Sequence, residues 1–195
     1  MGYPTHKMRT PFFIAKYVEL HKLDHEAKTA KRPLPPNLIS VDSFRAIWEV
    51  PMLGQASRFM SVKSGAINDE FFVVRVDTEA FYCTWLKSSP AIWERQDSDC
   101  VLRVDMPTDR KYKDAVEGFA SGKENPVPLA HVVAYMDKNQ AGIGFINGVT
   151  RSFWLIANRA PSFLVQVHGR ESAELLNQLV GLDAAPMSFS ELFDT

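Results

Sequence analysis

The sequence predicts an α+β fold, with a small mixed sheet and short helices in a single domain. The chain has 195 residues and a hydrophobic fraction of 46%, which is enough to form a full core. Short segments of strand-like composition alternate with segments of helical periodicity, and no internal repeat is visible. These observations favour α+β or mixed α/β structure in one compact body.

The first part of the chain predicts an arm, a linker and several short strands. Residues 11–20 are apolar and fit either a first strand or a short helix. Three prolines within 33–36 hold the backbone extended, which predicts a linker at 31–37, with a proline-rich docking motif as the alternative. The other expected elements are strands at 43–50, 70–76 and 101–104, a turn at 68–69 and a helix at 78–86.

The second part predicts alternating helices and strands more clearly. Pro107, Thr108 and Asp109 are typical of a helix start, and Gly122 is typical of the position after a helix end. Between them lies an apolar stripe at helical spacing, made of Tyr112, Ala115, Val116 and Phe119. The remaining expected elements are strands at 130–135, 141–146 and 163–167, and helices at 150–158 and 170–180.

These elements divide the chain into three parts. Residues 1–36 form the N-terminal arm and proline-rich linker, 37–182 form the domain, and 183–195 form a C-terminal tail that looks loosely attached. Gly181 ends the last predicted helix, which places the boundary of the domain just after it.

Charge and cysteine content exclude several classes of protein. The net charge is −1, so the chain as a whole is not attracted to DNA or membranes. Residues 1–32 carry seven Lys or Arg against three Asp or Glu, which suits an anion-binding arm or a solvated terminal segment. Cys83 and Cys100 form no Cys-x-x-Cys motif and have no His at metal spacing, so we expect no metal site built on cysteine. The sequence has no apolar run of ~20 residues and no signal peptide, which predicts a cytoplasmic protein.

The segment 147–151 is the strongest candidate for a binding site. Asn147 and Gly148 both tolerate positive φ, and Thr150 or Asn147 would cap the helix that follows. Arg151 falls in the first turn of that helix, where the macrodipole disfavours cations. We therefore expect an anion there: backbone N–H groups of 148–151, the Thr150 hydroxyl and the Arg151 guanidinium would hold a phosphate. The alternative is a capped helix with a surface arginine.

Two blocks of the sequence carry a recognisable pattern. The first is Gly-Lys-Glu-Asn-Pro-Val-Pro-Leu-Ala at 122–130. The second, within 145–167, reads Phe-x-x-Gly-x-x-Arg, then Trp-Leu-x-Ala-Asn, then Ala-x-x-Phe-x-Val. Over 119–180 this pattern resembles the plasmid fertility-inhibition factors. The resemblance implies a ParB/sulfiredoxin-like fold, in which a Gly-x-x-Arg turn at a helix N-terminus holds nucleotide phosphates.

The resemblance also implies roles for individual residues, with two departures. Asn147, Gly148, Val149, Thr150 and Arg151 would bind ATP, with Mg²⁺ as an option. Sulfiredoxins carry a catalytic cysteine directly after the glycine, whereas this chain has Val149, so sulfiredoxin activity is excluded for lack of a nucleophilic sulfur. Thr150 stands where relatives often have His, which leaves ATPase and DNase activity open.

Glu124 and Arg151 are the candidate catalytic residues. Glu124 would bind a metal or activate a water, because the corresponding turn lies near the nucleotide in this fold. The alternative role of Glu124 is in a loop that caps the preceding helix. Trp154, Leu155 and Phe163 are expected in the core rather than in a base-stacking platform. Arg151, Arg159 and Arg170 would attract DNA only if the fold gathers them on one face.

The resemblance implies a function in plasmid transfer. The expected activity is inhibition of conjugative plasmid or T-DNA transfer through a type IV secretion system, with the coupling protein or the transferred DNA as partner. The expected location is the cytoplasm, or the membrane through a secretion-system partner. The alternative is a nucleotide-binding ParB-like regulator without catalysis. No helix-turn-helix follows the nucleotide motif, which disfavours sequence-specific DNA binding.

Overall fold

The computed structural model describes residues 9–29, 33–65, 70–89 and 99–194. The helices are α1 (Arg9–Thr29), α2 (Thr78–Ser88), α3 (Tyr112–Ala120), α4 (Val149–Ala157), α5 (Arg170–Val180), α6 (Phe189–Phe193) and a 3-10 helix (Arg103–Thr108). The strands are β1 (Asn37–Val41), β2 (Arg45–Val50), β3 (Arg58–Lys63), β4 (Phe71–Asp77), β5 (Val127–Pro128), β6 (Ala130–Asp137), β7 (Gln140–Asn147), β8 (Ser162–His168) and β9 (Met187–Ser188). The predicted α+β class is confirmed.

The strands form two mixed sheets. One sheet has the order β1-β2-β3-β5, with antiparallel pairs except for the short parallel pair of β3 with β5. The other has the order β7-β6-β8-β4-β9, in which β6 and β8 run parallel. Leu129 alone separates β5 from β6, so the chain passes from one sheet to the other at this residue. This crossing lies beside the turn that joins β7 to α4, where Gly148 approaches Ala130.

Most of the predicted elements are confirmed by the structure. The strand at 70–76 is β4, and the strands at 130–135 and 141–146 are β6 and β7. Their hairpin turns at Lys138 and Asn139, which both have positive φ as a tight two-residue hairpin turn requires. The helix at 170–180 is α5 with the predicted bounds. The turn predicted at 68–69 lies outside the described residues.

Aromatic side chains of α2 hold the helices against the five-stranded sheet. The Phe81 ring lies 5.1 Å from that of Phe163 on β8, and the Trp85 ring lies 4.4 Å from that of Phe145 on β7. Trp85 also stacks on Phe153 of α4 at 5.1 Å between ring centroids. A single cluster of buried apolar residues includes Trp48 of one sheet and Val165 of the other, so the two sheets share a core.

The N-terminal arm is a helix packed on α2. Residues 11–20, for which the sequence left strand and helix open, lie inside α1. Leu23 is buried, the Lys16 Nζ donates to the Ser89 carbonyl at 2.7 Å, and Asp24 pairs with Lys87 at 3.1 Å. Over the described parts of the chain, no helix is both long enough and apolar enough to cross a bilayer. The domain boundaries at 36 and 182 stay a prediction.

The C-terminal segment is held by both ion pairing and burial. The Arg75 guanidinium donates to both carboxylate oxygens of Asp183 at 2.6 Å, and β9 pairs with β4. Phe189 and Leu192 are buried. The expectation of a loosely attached tail is therefore wrong for residues 183–194, because their apolar side chains complete the core.

The strand predicted at 101–104 is wrong. The Arg103 backbone N–H donates to the Tyr82 hydroxyl at 2.8 Å, so it is not available to a neighbouring strand. Its guanidinium pairs with Glu79 and lies 4.9 Å from the centre of the Tyr82 ring. A 3-10 helix runs from Arg103 to Thr108 and includes Pro107. Helix α3 begins at Tyr112, later than the capping residues at 107–109 predicted.

Candidate functional site

The predicted turn between β7 and α4 is present, with Gly148 at its centre. Gly148 has φ of 96° and is the N-cap of α4, a left-handed conformation that favours glycine. A Cβ atom at this position would lie 2.7 Å from both Cα and Cβ of Ala130 on β6. The glycine is therefore required twice, by its backbone conformation and by the close approach of the turn to the sheet.

No side chain caps the start of α4. The prediction that Thr150 or Asn147 caps this helix is wrong. The Thr150 hydroxyl instead donates to Asp109 at 3.0 Å, and the Asn147 side-chain oxygen accepts a 3.4 Å bond from Arg151. The first N–H groups of a helix have no partner within the helix, so those of α4 stay available to a ligand or to solvent.

Arg151 is tied to the backbone of the segment that joins the two sheets. Its Nη1 donates to the Pro128 carbonyl at 2.7 Å and to the Leu129 carbonyl at 3.1 Å. Burial lowers the pKa of the Arg151 guanidinium from its ordinary value. The arginine thus fixes the start of α4 against β5 and β6 through two neutral backbone carbonyls, and the anion expected beside it stays a prediction.

Asp109 connects the start of α3 with the start of α4. Its Oδ1 accepts from the Lys111 backbone N–H at 2.9 Å as well as from Thr150. The Asp109 carbonyl also accepts from the Tyr112 N–H at 2.9 Å. The Asp109 carboxylate therefore orders the turn before α3. It also links that turn to Thr150 in the 147–151 segment, 41 residues further along the chain.

A cavity of about 740 Å³ opens between these elements. It contains all five residues predicted to bind the cofactor, Asn147, Gly148, Val149, Thr150 and Arg151. Its charged lining residues are three cations, Arg110, Lys111 and Arg151, and two carboxylates, Asp109 and Asp114. The cavity is large enough for a nucleotide or another small molecule.

The second predicted catalytic residue is not brought to this cavity. Glu124 is exposed and does not line it, whereas its neighbour Asn125 and the following segment Pro126, Val127 and Pro128 do. Glu124 therefore does not share this cavity lining with Arg151, and a catalytic role for Glu124 stays a prediction. The carboxylates that do line the cavity belong to Asp109 and Asp114.

Sequence reasoning missed the contribution of the turn before α3. The local pattern marks Asp109 as part of a helix start and does not indicate Arg110, Lys111 or Asp114 as site residues. The only local signal was the capping chemistry at 107–109, which says nothing about what the turn faces. Long-range pairing of Asp109 with Thr150 was needed to place these residues at the site.

The remaining predicted groups have structural positions. Trp154, Leu155 and Phe163 are buried, which confirms that they belong to the core. Trp154 stacks on Phe119 with ring centroids 4.3 Å apart. Arg159 lines a different cavity from Arg151, and Arg170 lies over the Phe72 ring at 5.2 Å.

Comparison with known proteins identifies the family. A family model described as plasmid fertility inhibition factor matches residues 73–181, more than half of the chain and including the whole β7–α4 turn. The chain belongs to the plasmid fertility inhibition factor family. The resemblance seen in the two sequence blocks is thereby confirmed.

Two relatives extend the similarity beyond the matched region. The chain is 35% identical over 178 residues to the protein Osa of Shigella flexneri, covering 90% of each chain. It is also similar to the crystal structure of the oncogenic suppression activity protein, a plasmid fertility inhibition factor, determined as a gold(I) cyanide derivative. That similarity has a TM-score of 0.80 at 32% identity and covers 93% of this chain and 94% of the other.

The Asp109–Thr150 contact predicts a measurable loss of stability. We expect Thr150→Val to lower the free energy of unfolding by about 1 kcal/mol, because it removes a partly buried hydrogen bond to a carboxylate while keeping the side-chain shape. Urea denaturation would measure the change. Thr108→Val is the control, since the Thr108 hydroxyl donates to the exposed Asp105 carbonyl and to no other group of the described residues. Equal losses in the two variants would contradict a special role for the Asp109–Thr150 bond.

Proposed function

We propose that this protein, expressed in a donor cell, lowers outgoing transfer of a conjugative plasmid or T-DNA through a type IV secretion system. The observation that supports this proposal is membership of the plasmid fertility inhibition factor family together with similarity to Osa along nearly the whole chain. The proposed partner is the coupling protein of the secretion system or the transferred DNA.

We further propose that the cavity beside the β7–α4 turn binds the phosphates of a nucleotide such as ATP, with Mg²⁺ as an option. Three features support it: the uncapped start of α4, the close approach that Gly148 allows, and the cationic residues of the lining. The ParB/sulfiredoxin-like superfamily, to which the sequence pattern points, uses a turn of this kind for nucleotide phosphates.

The residues that line the cavity are compatible with two roles for a bound nucleotide. One is ATP hydrolysis coupled to a DNase activity, for which Asp109 and Asp114 are the carboxylates that line the cavity. The other is binding alone, as in a nucleotide-dependent regulator without catalysis. Calorimetric titration with ATP, with and without Mg²⁺, followed by measurement of phosphate release, separates the two. No binding at millimolar ATP would remove both.

A mating assay tests the inhibition. We expect donors that express the protein to transfer a susceptible plasmid less often than donors carrying an empty vector, with growth and plasmid copy number unchanged. The reason is that the proposed inhibition acts on outgoing transfer rather than on the cargo itself. Conjugation frequency per donor is the measurement, and expression in the recipient alone is the control.

Two results of the mating assay would contradict the proposal. One is an effect that appears only when the recipient expresses the protein. The other is an unchanged transfer frequency from expressing donors across several conjugation systems. Lys113→Ala is a control for substitution as such, because within the described part of the chain the exposed Lys113 side chain pairs only with Glu117 and does not line the cavity. It should inhibit transfer as the wild-type protein does.

A further inference from the structure

We propose that Arg110 and Lys111, at the turn before α3, make the direct charged contacts to the phosphates, and that Arg151 is a positioning residue. This inference rests on the proposed binding of a nucleotide in the cavity between α3 and α4. It assigns the phosphate contacts to two residues that lie outside the Gly-x-x-Arg motif at 148–151. The sequence motif alone would have assigned it to Arg151.

The contacts of Arg151 leave it poorly placed to bind a phosphate. Both carbonyl contacts of its Nη1, to Pro128 and Leu129, belong to the segment that joins the two sheets. If the guanidinium turned toward a ligand, it would leave those two carbonyls without this donor. Its Nε also lies 3.0 Å from where a Cβ of Gly148 would be, so the side chain is packed along the turn.

Unlike Arg151, Arg110 and Lys111 have side chains without partners in the described part of the protein. Both are exposed, both line the cavity, and neither side chain has a hydrogen bond or ion pair to another described residue. Their backbone is nonetheless fixed, because the Lys111 N–H bonds the Asp109 carboxylate and the Tyr112 N–H bonds the Asp109 carbonyl. Two side chains with unused donors are thus carried on an ordered turn.

The anionic groups at the cavity do not cancel this charge. Asp109 Oδ1 already accepts from Thr150 and from the Lys111 backbone, so this oxygen is held by groups of the protein. Asp114 is the other carboxylate of the lining, against the cations of Arg110, Lys111 and Arg151. The lining therefore has a net positive charge, and the cations without internal partners are those of the turn before α3.

The chemistry of these two side chains predicts a preference for highly charged nucleotides. An arginine can contact two oxygens of a phosphate at once, and a lysine acts as a point charge. Both contacts strengthen as the number of phosphates increases. We therefore expect ATP to bind more tightly than AMP, with the difference carried by Arg110 and Lys111.

The experiment compares the affinities for ATP and AMP in a set of full-length variants by calorimetric titration. We expect the double variant Arg110→Ala with Lys111→Ala to bind ATP about 10-fold or more weakly, the loss of at least one hydrogen bond between charged groups. Its affinity for AMP should change less, so the preference for ATP over AMP shrinks. Its midpoint of thermal unfolding without nucleotide should match that of the wild-type protein.

Two further variants separate positioning from contact. Lys113→Ala, in the first turn of α3 but outside the cavity, should bind both nucleotides as the wild type does. Arg151→Lys keeps the charge but not the paired carbonyl contacts. It should lower the midpoint of unfolding without nucleotide and weaken ATP and AMP by the same factor.

The reverse pattern would overturn the assignment. In that pattern, the double variant keeps the full preference for ATP, while Arg151→Lys loses the preference without any loss of stability. A wild-type protein that binds neither nucleotide at millimolar concentration is a different result. It removes the nucleotide proposal itself, and the assignment of contacts with it, while the role of Arg151 in stability remains measurable.

Discussion

Gly148→Ala should be among the most destabilising single substitutions in the chain, with a loss of about 3 kcal/mol or more in the free energy of unfolding. The added Cβ would lie 2.7 Å from Cα and Cβ of Ala130, which is buried on the interior strand β6. Neither backbone can move away without disturbing strand pairing, and overpacking of this kind costs about 1–3 kcal/mol. The positive φ of 96° adds a strain of about 1–3 kcal/mol.

Gly122→Ala is the matched control for this prediction. Gly122 also has positive φ, at 70°, yet a Cβ there would meet no atom within 4 Å. It therefore carries the conformational strain without the steric clash, and its loss should be about 1 kcal/mol. Chemical denaturation of both variants gives the comparison. If Gly148→Ala lost no more stability than Gly122→Ala, the close approach of the turn to Ala130 would not be important.

Elements defined by local pattern could be predicted from the sequence. Helix α5 is bounded by Gly169, with positive φ, and by Gly181, and its buried residues fall on one face. The hairpin at Lys138 and Asn139 follows from residues next to it in sequence. The 101–104 segment could not be predicted, because its strand-like composition is overridden by the contact of Arg103 with Tyr82, which lies 21 residues earlier.

The candidate site shows the same division between local and long-range causes. The sequence predicted the turn at Gly148, which is present, and an anion beside Arg151, which stays a prediction; the partner that the structure shows for the Arg151 cation is of another kind. The partner is a pair of backbone carbonyls, which no motif identifies because every residue has one. The link from Thr150 to Asp109 is equally long-range. Local pattern thus indicated a segment that lines the cavity, and the tertiary structure was needed to place Arg110 and Lys111 beside it.

Trp85→Ala is the second substitution with a large expected effect, because this side chain connects three elements. Trp85 is 1% exposed and packs from α2 on Phe145 of β7 and Phe153 of α4. Its removal would leave a cavity among side chains that cannot close around it, at a cost of about 3–5 kcal/mol. In a chain of this length that corresponds to a fall of roughly 10 °C in the midpoint of thermal unfolding.

The comparison variants for Trp85 separate packing from the mere loss of an aromatic ring. Trp85→Phe keeps a ring between Phe145 and Phe153 and should lose less stability than Trp85→Ala. Phe44→Ala removes a ring that is 77% exposed and should change the midpoint little. Phe153 lies two residues beyond Arg151 on α4, so Trp85→Ala should also weaken the binding of a ligand in the cavity if the start of α4 shifts. A Trp85→Ala protein as stable as Phe44→Ala would show that α2 does not hold α4 against the sheet.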